Sequence, residues 1–428
     1  MYQNKRLVLG LIVALVLLMS ASVSIHAAEL WHYWLSGGEK EAIEAFVAKA
    51  GEMYPECEFS LRGIPGSSAE IRRQLGAAFM ANDPPEVYQS SIGYDLKSYV
   101  DAGRLEPIDD VWAAINGDEV FSEGLKNAVK FDGHAYAIPL NTHVASQIFY
   151  NKAIFDKYNL TPPTTWDEYK EVCKVLEDNG IAPFAASPTG ITYRFFAPLI
   201  TVLGPEGYLA LGNGELAFTD PKVREVFKLY GDVIVSSYMF GWSGYGWAEA
   251  ADEVINGHAA MYLNGDWVIA YFEQAGWVAG EDFACFPAPG TENVIITMVD
   301  ALAAPKNSRD MDGAKKLLLA AGSIEGQETF NKYKGSVAAN LSVGAEIFDN
   351  HPILTETYNR FQKVNEEGVI LPNLSFMLPP SLNNELSKQI EMYALNPTDK
   401  VLDSVLNTLE GMRQELIAED AFVKWSDL

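Results

Sequence analysis

The sequence contains few cysteines, and their spacing excludes the structures that cysteine-rich chains build. Only three occur among 428 residues, Cys57, Cys173 and Cys285. They lie far apart and show no CxxC spacing, which argues against a zinc site and against a dense disulfide framework. Three buried thiols are therefore the expected state, with a single disulfide bridge as the alternative.

Basic residues are also scarce. The chain has 31 lysines and arginines against 57 aspartates and glutamates, which gives a formal net charge of −26. The electrostatic field of this negative charge repels nucleic acid and anionic membranes. It also disfavours anionic ligands unless a local positive patch outweighs it. We therefore expect a neutral ligand and no nucleic-acid partner.

The common catalytic motifs are absent. The sequence has no phosphate-binding glycine loop with its lysine, no HExxH and no GxSxG; Gly241-Trp-Ser-Gly-Tyr245 differs from the last at its final position. No two histidines stand three or four residues apart, so neither a zinc site nor another cofactor is predicted. The paired carboxylates of glycosidases are defined by a separation of about 5 to 10 Å in space. A secreted glycoside-acting hydrolase using Glu39 with Asp300 or Asp266 is thus the enzymatic alternative.

Only the N-terminus carries a long hydrophobic run. Lys5 and Arg6 precede thirteen apolar or glycine residues at 7–19, and mostly small residues follow up to Ala28. This pattern is typical of a secretory signal, and the run is shorter than the roughly 20 residues that span a bilayer. We expect a signal peptide at 1–28, cleaved after Ala27 or Ala28, and an exported protein. An uncleaved anchor is the alternative.

The rest of the chain has a globular composition and a length that favours two lobes. Strand and helix patterns alternate over residues 30–103, which predicts a mostly parallel sheet covered by helices. Beyond residue 160 the pattern is richer in helices, beginning with a capping box at Thr165-Trp-Asp-Glu168. Residues 294–304 predict a strand that returns to the first lobe.

Residues 135–151 are the segment that we expect to connect the two lobes. Two apolar strand patterns flank Asn141, Thr142 and His143, with no turn glycine between them. We interpret this segment as a crossing between two lobes, where a ligand cleft is favoured. One long bent strand with a surface loop is the alternative.

Aromatic, amide and charged side chains stand near the predicted strand and helix ends. In open α/β sheets, ligands bind beyond the carboxyl ends of the strands. A neutral sugar requires this mixture, because rings pack on its C–H faces while acids and amides bind its hydroxyls. The candidates from this pattern are Trp34, Glu39, Gln89, Asp266, Trp267, Asp300 and Lys334.

Several short motifs, in order along almost the whole chain, carry a family resemblance. The chain resembles the extracellular solute-binding proteins of carbohydrate-uptake ABC transporters, and it is most similar to the glucose/mannose-type monosaccharide binders. The motifs are Tyr33-Trp-Leu-Ser-Gly-Gly-Glu39, Asp83-Pro-Pro-Glu-Val-Tyr-Gln89, Ile138-Pro-Leu-Asn-Thr-His143, Thr164-Thr-Trp-Asp-Glu-Tyr169, Phe218-Thr-Asp-Pro221, Asn264-Gly-Asp-Trp267, Phe283-Ala-Cys-Phe-Pro-Ala-Pro-Gly-Thr291, Ser323-Ile-Glu-Gly-Gln-Glu-Thr-Phe330 and Lys334-Gly-Ser-Val-Ala-Ala339.

The resemblance implies an α/β, two-lobed periplasmic-binding-protein fold with crossing hinge strands, similar to type II. It implies a periplasmic, monomeric, non-enzymatic protein without a cofactor, which binds a monosaccharide such as glucose and delivers it to membrane permease subunits. We assign residues 29–140 plus about 297–350 to the first lobe, and 141–296 plus about 351–428 to the second. The implied pocket residues are Trp34, Glu39, Gln89, His143, Trp247, Asp266, Trp267, Asp300 and Lys334.

The chain departs from that pattern at two positions. Similar monosaccharide binders often have Gln-x-His where this chain has Gln89-Ser-Ser91, and no histidine occurs at 371–376. A disaccharide or short oligosaccharide is therefore the alternative ligand. A sugar sensor that signals to a receptor instead of a permease would use the same fold.

Overall fold

The structure is a computed structural model that describes residues 27–66, 68–145 and 147–425. The predicted signal peptide lies outside these residues except for Ala27 and Ala28. Its cleavage site therefore stays a prediction.

Three main sheets organise the described chain. The first lobe begins with alternating strands and helices. In chain order these are β1 (Ala28–His32), α1 (Gly37–Met53), β2 (Phe59–Gly63), α2 (Ser68–Ala81), β3 (Val87–Ser91), α3 (Tyr94–Asp101), α4 (Asp109–Ala114), α5 (Gly117–Val120), α6 (Glu123–Val129), β4 (Lys130–Phe131), β5 (His134–Ala135) and β6 (Ala137–Pro139).

A crossing strand then leads into the second lobe. The elements are β7 (Asn141–Val144), β8 (Gln147–Asn151), α7 (Lys152–Lys157), α8 (Trp166–Asp178), β9 (Ala182–Ala185), α9 (Ile191–Gly212), α10 (Pro221–Leu229), α11 (Trp247–Ile255), β10 (Ala259–Asn264), α12 (Val268–Gln274) and β11 (Phe283–Pro287). The predicted capping box opens α8, since the Glu168 amide donates to Thr165 Oγ1 and the Thr165 amide donates back to Glu168 Oε2.

The chain then returns to the first lobe and ends in the second. The remaining elements are β12 (Val294–Met298), β13 (Asp300–Ala303), α13 (Met311–Gly322), α14 (Ile324–Lys334), β14 (Val337–Ala338), α15 (Pro352–Glu367), β15 (Val369–Pro372), α16 (Leu374–Met377), α17 (Pro380–Leu395) and α18 (Asp399–Ala418).

The first-lobe sheet has the order β2-β1-β3-β13-β6 and is mixed. Strand β1 pairs in parallel with β2 and β3, whereas β13 pairs antiparallel with β3 and β6. The parallel pairing expected from residues 30–103 is confirmed for β1, β2 and β3, whereas the whole sheet is mixed because both pairings of β13 are antiparallel. Strand β13 belongs to the predicted return strand, but a local pattern of strands and helices does not show that it enters the sheet antiparallel, between β3 and β6.

A third sheet, with the order β14-β7-β12-β15, lies at the crossing between the first-lobe sheet and the second-lobe sheet β11-β8-β10-β9. Strands β6, β7 and β8 follow one another directly, yet each belongs to a different sheet. Residues 141–143 are therefore the buried strand β7 and not a surface loop. The predicted return strand likewise divides at Val299 into β12 and β13.

The three sheets alone do not define the boundaries between the two lobes. Near the predicted boundary at about residue 350, Val343, Ile347 and Phe348 pack in the same buried cluster as Phe149 of β8. The first-lobe core instead gathers around Trp34, Phe46 and Phe330. The division into 29–140 plus about 297–350 and 141–296 plus about 351–428 stays a prediction.

Helix α9 is the one described helix whose length and apolar composition would suit a membrane span. It is broken at Gly204, which has a φ of 68°, and Pro205 follows. Its buried residues Phe195 and Leu199 share a core cluster with Phe227 of α10. In this fold α9 is a core helix of the second lobe.

The three cysteines are free thiols. Cys173 is buried, as expected, but Cys57 and Cys285 are only half-buried. The expectation of three buried thiols is therefore corrected for two of them, because their strand-edge and turn positions leave one side of each side chain open.

Candidate functional site

A cavity of about 530 Å³ lies between the two lobes. On the first-lobe side it is bordered by residues that follow the carboxyl end of β1, by Ser91 at the end of β3 and by Asp300 at the start of β13. Strand β13 runs antiparallel to β3, so its amino end meets the carboxyl end of β3 at one edge of the sheet. On the second-lobe side the carboxyl end of β10 brings Asn264 to the cavity.

Seven of the nine predicted site residues border this cavity. They are Trp34, Glu39, His143, Trp247, Trp267, Asp300 and Lys334. The other two, Gln89 and Asp266, do not border it and lie buried behind it. Whether the seven contact a ligand stays a prediction. Gln89 and Asp266 reach the cavity only through their neighbours.

On the cavity floor, His143 lies between two carboxylates. Its Nδ1 is hydrogen-bonded to Asp266 Oδ1, and its Nε2 is 3.2 Å from Asp300 Oδ2. Burial alone would lower the pKa of this imidazole, but the field and hydrogen bond of Asp266, aided by Asp300, raise it to about 9. His143 is therefore an imidazolium at neutral pH, in contact with a residue of each lobe.

The Asp300 carboxylate is held by several donors. Besides His143, it accepts hydrogen bonds from Asn141 Nδ2 at 3.2 Å and from Gln89 Nε2 at 3.3 Å. Burial acts to raise the pKa of this carboxyl, but the His143 hydrogen bond and the Lys334 charge outweigh burial and lower it. The buried charge predicted at Asp300 is thus compensated.

Gln89 and Asp266 fix this floor from behind. Gln89 Oε1 accepts from the Tyr33 backbone amide at 3.0 Å, which leaves its Nε2 directed at Asp300. Asp266 Oδ2 accepts from the backbone amide of Val144 at 3.1 Å. Both side chains therefore orient cavity groups without reaching the cavity.

A second ion pair closes the first-lobe side. Lys334, at the end of α14, is 3% exposed and forms a salt bridge with Glu39 in the first turn of α1. Burial acts to lower the pKa of the lysine, but Glu39 and Asp300 outweigh it and raise that pKa. Lys334 stays charged, and one face of the Glu39 carboxylate remains open to the cavity.

Aromatic rings form the walls. Trp34 is 1% exposed, and the Lys334 ammonium lies 5.6 Å from the centre of its ring. The Trp267 ring stands perpendicular to the His143 ring at 5.2 Å, and Trp247 packs on Tyr271 at 5.2 Å. Rings beside paired charges can bind the apolar faces and the hydroxyls of one ligand together.

Two glycines allow close contacts between chain segments that border the cavity. A Cβ at Gly265 would lie 2.0 Å from the Trp267 ring, and a Cβ at Gly38 would lie 2.5 Å from the carbonyl oxygen of Tyr333. The first glycine lets Trp267 fold back over the turn after β10. The second brings α1 against the end of α14, which places Glu39 beside Lys334.

The sequence interpretation missed several cavity residues. Tyr271 and Gln274 lie four and seven residues after Trp267, which is the spacing of one helix face, and that spacing could have identified them. Asn264 also borders the cavity and was noticed only as part of its motif. Tyr193, near the start of α9, carried no local sign of its role.

The two lobes touch each other beside the cavity. A Cβ at Gly38 of α1 would lie 3.4 Å from Ala270 Cβ of α12, and one at Gly37 would lie 2.5 Å from Gln274 Nε2. The first and second lobes are therefore in contact across the cleft. We call this arrangement, in which the lobes are in contact, the closed arrangement.

The acidic side chains around the cavity are paired with basic ones. Within residues 27–66, 68–145 and 147–425, no group of three or more His, Cys, Asp or Glu side chains is placed to hold a metal ion. The acidic groups that border the cavity are already paired, Glu39 with Lys334 and Asp300 with His143. These pairs can exchange hydrogen bonds with hydroxyl groups while remaining charged.

Comparison with known proteins identifies similar chains. Residues 36–328 match the family model of the bacterial extracellular solute-binding proteins. An uncharacterized ABC transporter extracellular-binding protein of Pyrococcus horikoshii is 32% identical over 76% of this chain and 74% of its own. A probable sugar-binding periplasmic protein of Rhizobium meliloti is 30% identical over 79% and 82%, respectively.

A solved structure gives the same fold. The bacterial solute receptor AcbH, which has an exclusive preference for β-D-galactopyranose, aligns with a TM-score of 0.81 at 21% identity. The alignment covers 91% of this chain and 99% of that receptor. The two-lobed periplasmic-binding-protein fold predicted from the sequence is confirmed.

Proposed function

The chain belongs to the bacterial extracellular solute-binding proteins, and from this premise we propose that it binds a neutral sugar between its lobes and delivers it to the permease of an ABC transporter. The relatives from Pyrococcus horikoshii and Rhizobium meliloti support the transporter and the sugar, respectively. The observation that carries the proposal is the set of aromatic walls around paired charges on the cavity floor.

The protein acts as a binding protein and not as an enzyme. Its matching family consists of solute-binding proteins, and the exported location follows from that family. In this proposal the signal peptide is cleaved after Ala27 or Ala28, and the mature protein works in the periplasm as a monomer. The permease recognises the closed lobes with the sugar between them.

The nine site residues have two roles in this proposal. Trp34, Trp247 and Trp267 pack against the sugar ring, while Glu39, His143, Asp300 and Lys334 bind its hydroxyls. Gln89 and Asp266 hold Asp300 and His143 in place. A removed ring or charge should therefore weaken binding even where the fold is unchanged.

A monosaccharide such as glucose is the proposed ligand, and a disaccharide or short oligosaccharide is the second candidate. The cavity volume of about 530 Å³ admits either candidate. The first candidate is supported by the family resemblance of the motifs around the site.

Calorimetric titration tests the proposal. The mature protein is unfolded and refolded to remove any carried-over ligand, then titrated with glucose, galactose, mannose, xylose and disaccharides, with an amino acid and a polyamine as controls. Tight one-to-one binding of a monosaccharide is the expected result, and binding of disaccharides alone would select the second candidate. Binding of only the amino acid or the polyamine would overturn the sugar proposal.

A long incubation of the protein with the bound sugar and its glycosides tests the enzymatic alternative. No turnover is expected. Hydrolysis that disappears in Glu39→Gln and Asp300→Asn variants would contradict the binding-protein proposal.

A further inference from the structure

The two lobes also meet along a seam that lies outside the sugar cavity. Residues 92 and 93 follow β3 of the first lobe and pack against α16, so closely that a Cβ at Gly93 would lie 2.3 Å from the carbonyl oxygen of Phe376. A narrow space at this seam is bordered by Gly93, Phe376, Met377 and Trp425. None of these four residues borders the sugar cavity.

Trp425 belongs to residues 420–425, which follow α18 and are fixed to the second lobe. The chain turns at Asp420, which has a φ of 53°. Asn213, at the end of α9, then accepts from the Trp425 amide at 2.8 Å and donates to its carbonyl oxygen at 3.0 Å. The Phe422 ring lies against Gly214, where a Cβ would come within 2.7 Å of it. This segment is thus part of the second lobe.

The same segment also contacts Tyr94 of α3 in the first lobe. The Tyr94 hydroxyl donates to the carbonyl oxygen of Ala421 and accepts from the Val423 amide at 2.8 Å. The Tyr94 and Trp425 rings also pack edge to face, with their centres 5.6 Å apart. Tyr94 is 7% exposed, so water replaces these bonds only if the seam opens.

We propose that residues 420–425 are a C-terminal strap that holds the two lobes in the closed arrangement. Separation of the lobes would move Tyr94 away from a segment anchored on Asn213, and it would break both hydrogen bonds of the Tyr94 hydroxyl and the ring contact with Trp425. Such losses oppose opening. The strap therefore sets how far the cavity opens, whichever solute the cavity binds.

Small-angle X-ray scattering of the ligand-free protein tests this directly. Tyr94→Phe keeps the ring and removes both hydrogen bonds to the strap, and Trp425→Ala removes the ring contact. Lys424→Ala is the matched control, because Lys424 lies on the same strap but pairs with Glu215 of the second lobe. Tyr54→Phe controls for the loss of a tyrosine hydroxyl elsewhere in the first lobe.

We expect a shift to a larger radius of gyration in Tyr94→Phe and Trp425→Ala, and none in the two controls. Thermal unfolding checks that each variant is folded, and a variant that does not fold is replaced by Tyr94→Leu. An unchanged radius of gyration in both seam variants would overturn the proposal, and so would a smaller one. Since no sugar is added, this outcome is independent of the proposed function.

Discussion

Protonation of His143 should make the stability of the protein depend on pH in a defined window. In the folded protein the field of Asp266 overcomes burial and raises the pKa of this imidazole from 6.5 to about 9. In the unfolded chain the same group keeps a pKa of about 6.5. The folded state therefore binds one more proton than the unfolded state between these two values.

The sign and size of the effect follow from proton linkage. Because the folded-state pKa is the higher one, the stabilisation is complete below about pH 6.5 and is lost as the pH rises through about 9. Each pKa unit corresponds to about 1.4 kcal/mol, so the free energy of unfolding should fall by about 3 kcal/mol across this window. His143 is 3% exposed, so solvent screens its two carboxylate partners little.

Urea unfolding of the wild type and of His143→Gln across this window measures the difference. The wild type should lose stability steadily relative to the variant, which has no group to titrate at this position. His258→Gln, at an exposed histidine, is the matched control and should behave as the wild type. A constant difference between wild type and His143→Gln throughout the window would refute the imidazolium and, with it, the bridge between Asp266 and Asp300.

Three further predictions concern the cavity and the thiols. Trp247→Ala or Asp300→Ala should weaken sugar binding at least about tenfold in a calorimetric titration, without changing the circular dichroism spectrum. Unchanged affinity in both variants would contradict the assignment of the sugar site to this cavity. Gly265→Ala should displace the Trp267 ring and weaken sugar binding. Gly411→Ala is the control and should leave binding unchanged, because a Cβ there meets nothing within 4 Å. Equal affinity in the two variants would show that the Trp267 ring has room to move. Thiol titration of the denatured, unreduced protein should count three free thiols, and a count of one would reveal a disulfide.

Local elements of the fold could be predicted from the sequence because their determinants lie within a few residues. The Thr165–Glu168 capping box and Pro221 at the first helical position both begin helices where expected. Strand β7 was predicted less well, because Asn141 and His143 are buried against Asp266 and Asp300, which lie more than 100 residues away. No local pattern contains that information.

The same limit applies to the site. The rule that ligands bind at strand ends selected Gln89, but Gln89 lies two residues before Ser91, the last residue of β3, and so about 7 Å deeper along the strand. Ser91 borders the cavity instead. Sequence identifies the strand that supplies a site, whereas the exact residue depends on how far the strand extends toward the partner lobe.

The charges of the site bear on why we propose a neutral solute for an acidic protein. Glu39, Asp266 and Asp300 are matched by His143 and Lys334, so this cluster carries a net charge of about −1 although the chain carries −26. Each charge already has a partner, and a charged solute that displaced one partner would leave the other uncompensated. A cation that displaced Lys334 from Glu39, for example, would leave the Lys334 ammonium buried without that carboxylate, at a cost of several kcal/mol. A hydroxyl group adds hydrogen bonds to these pairs without breaking them, so in the proposed function the paired charges themselves select against charged solutes.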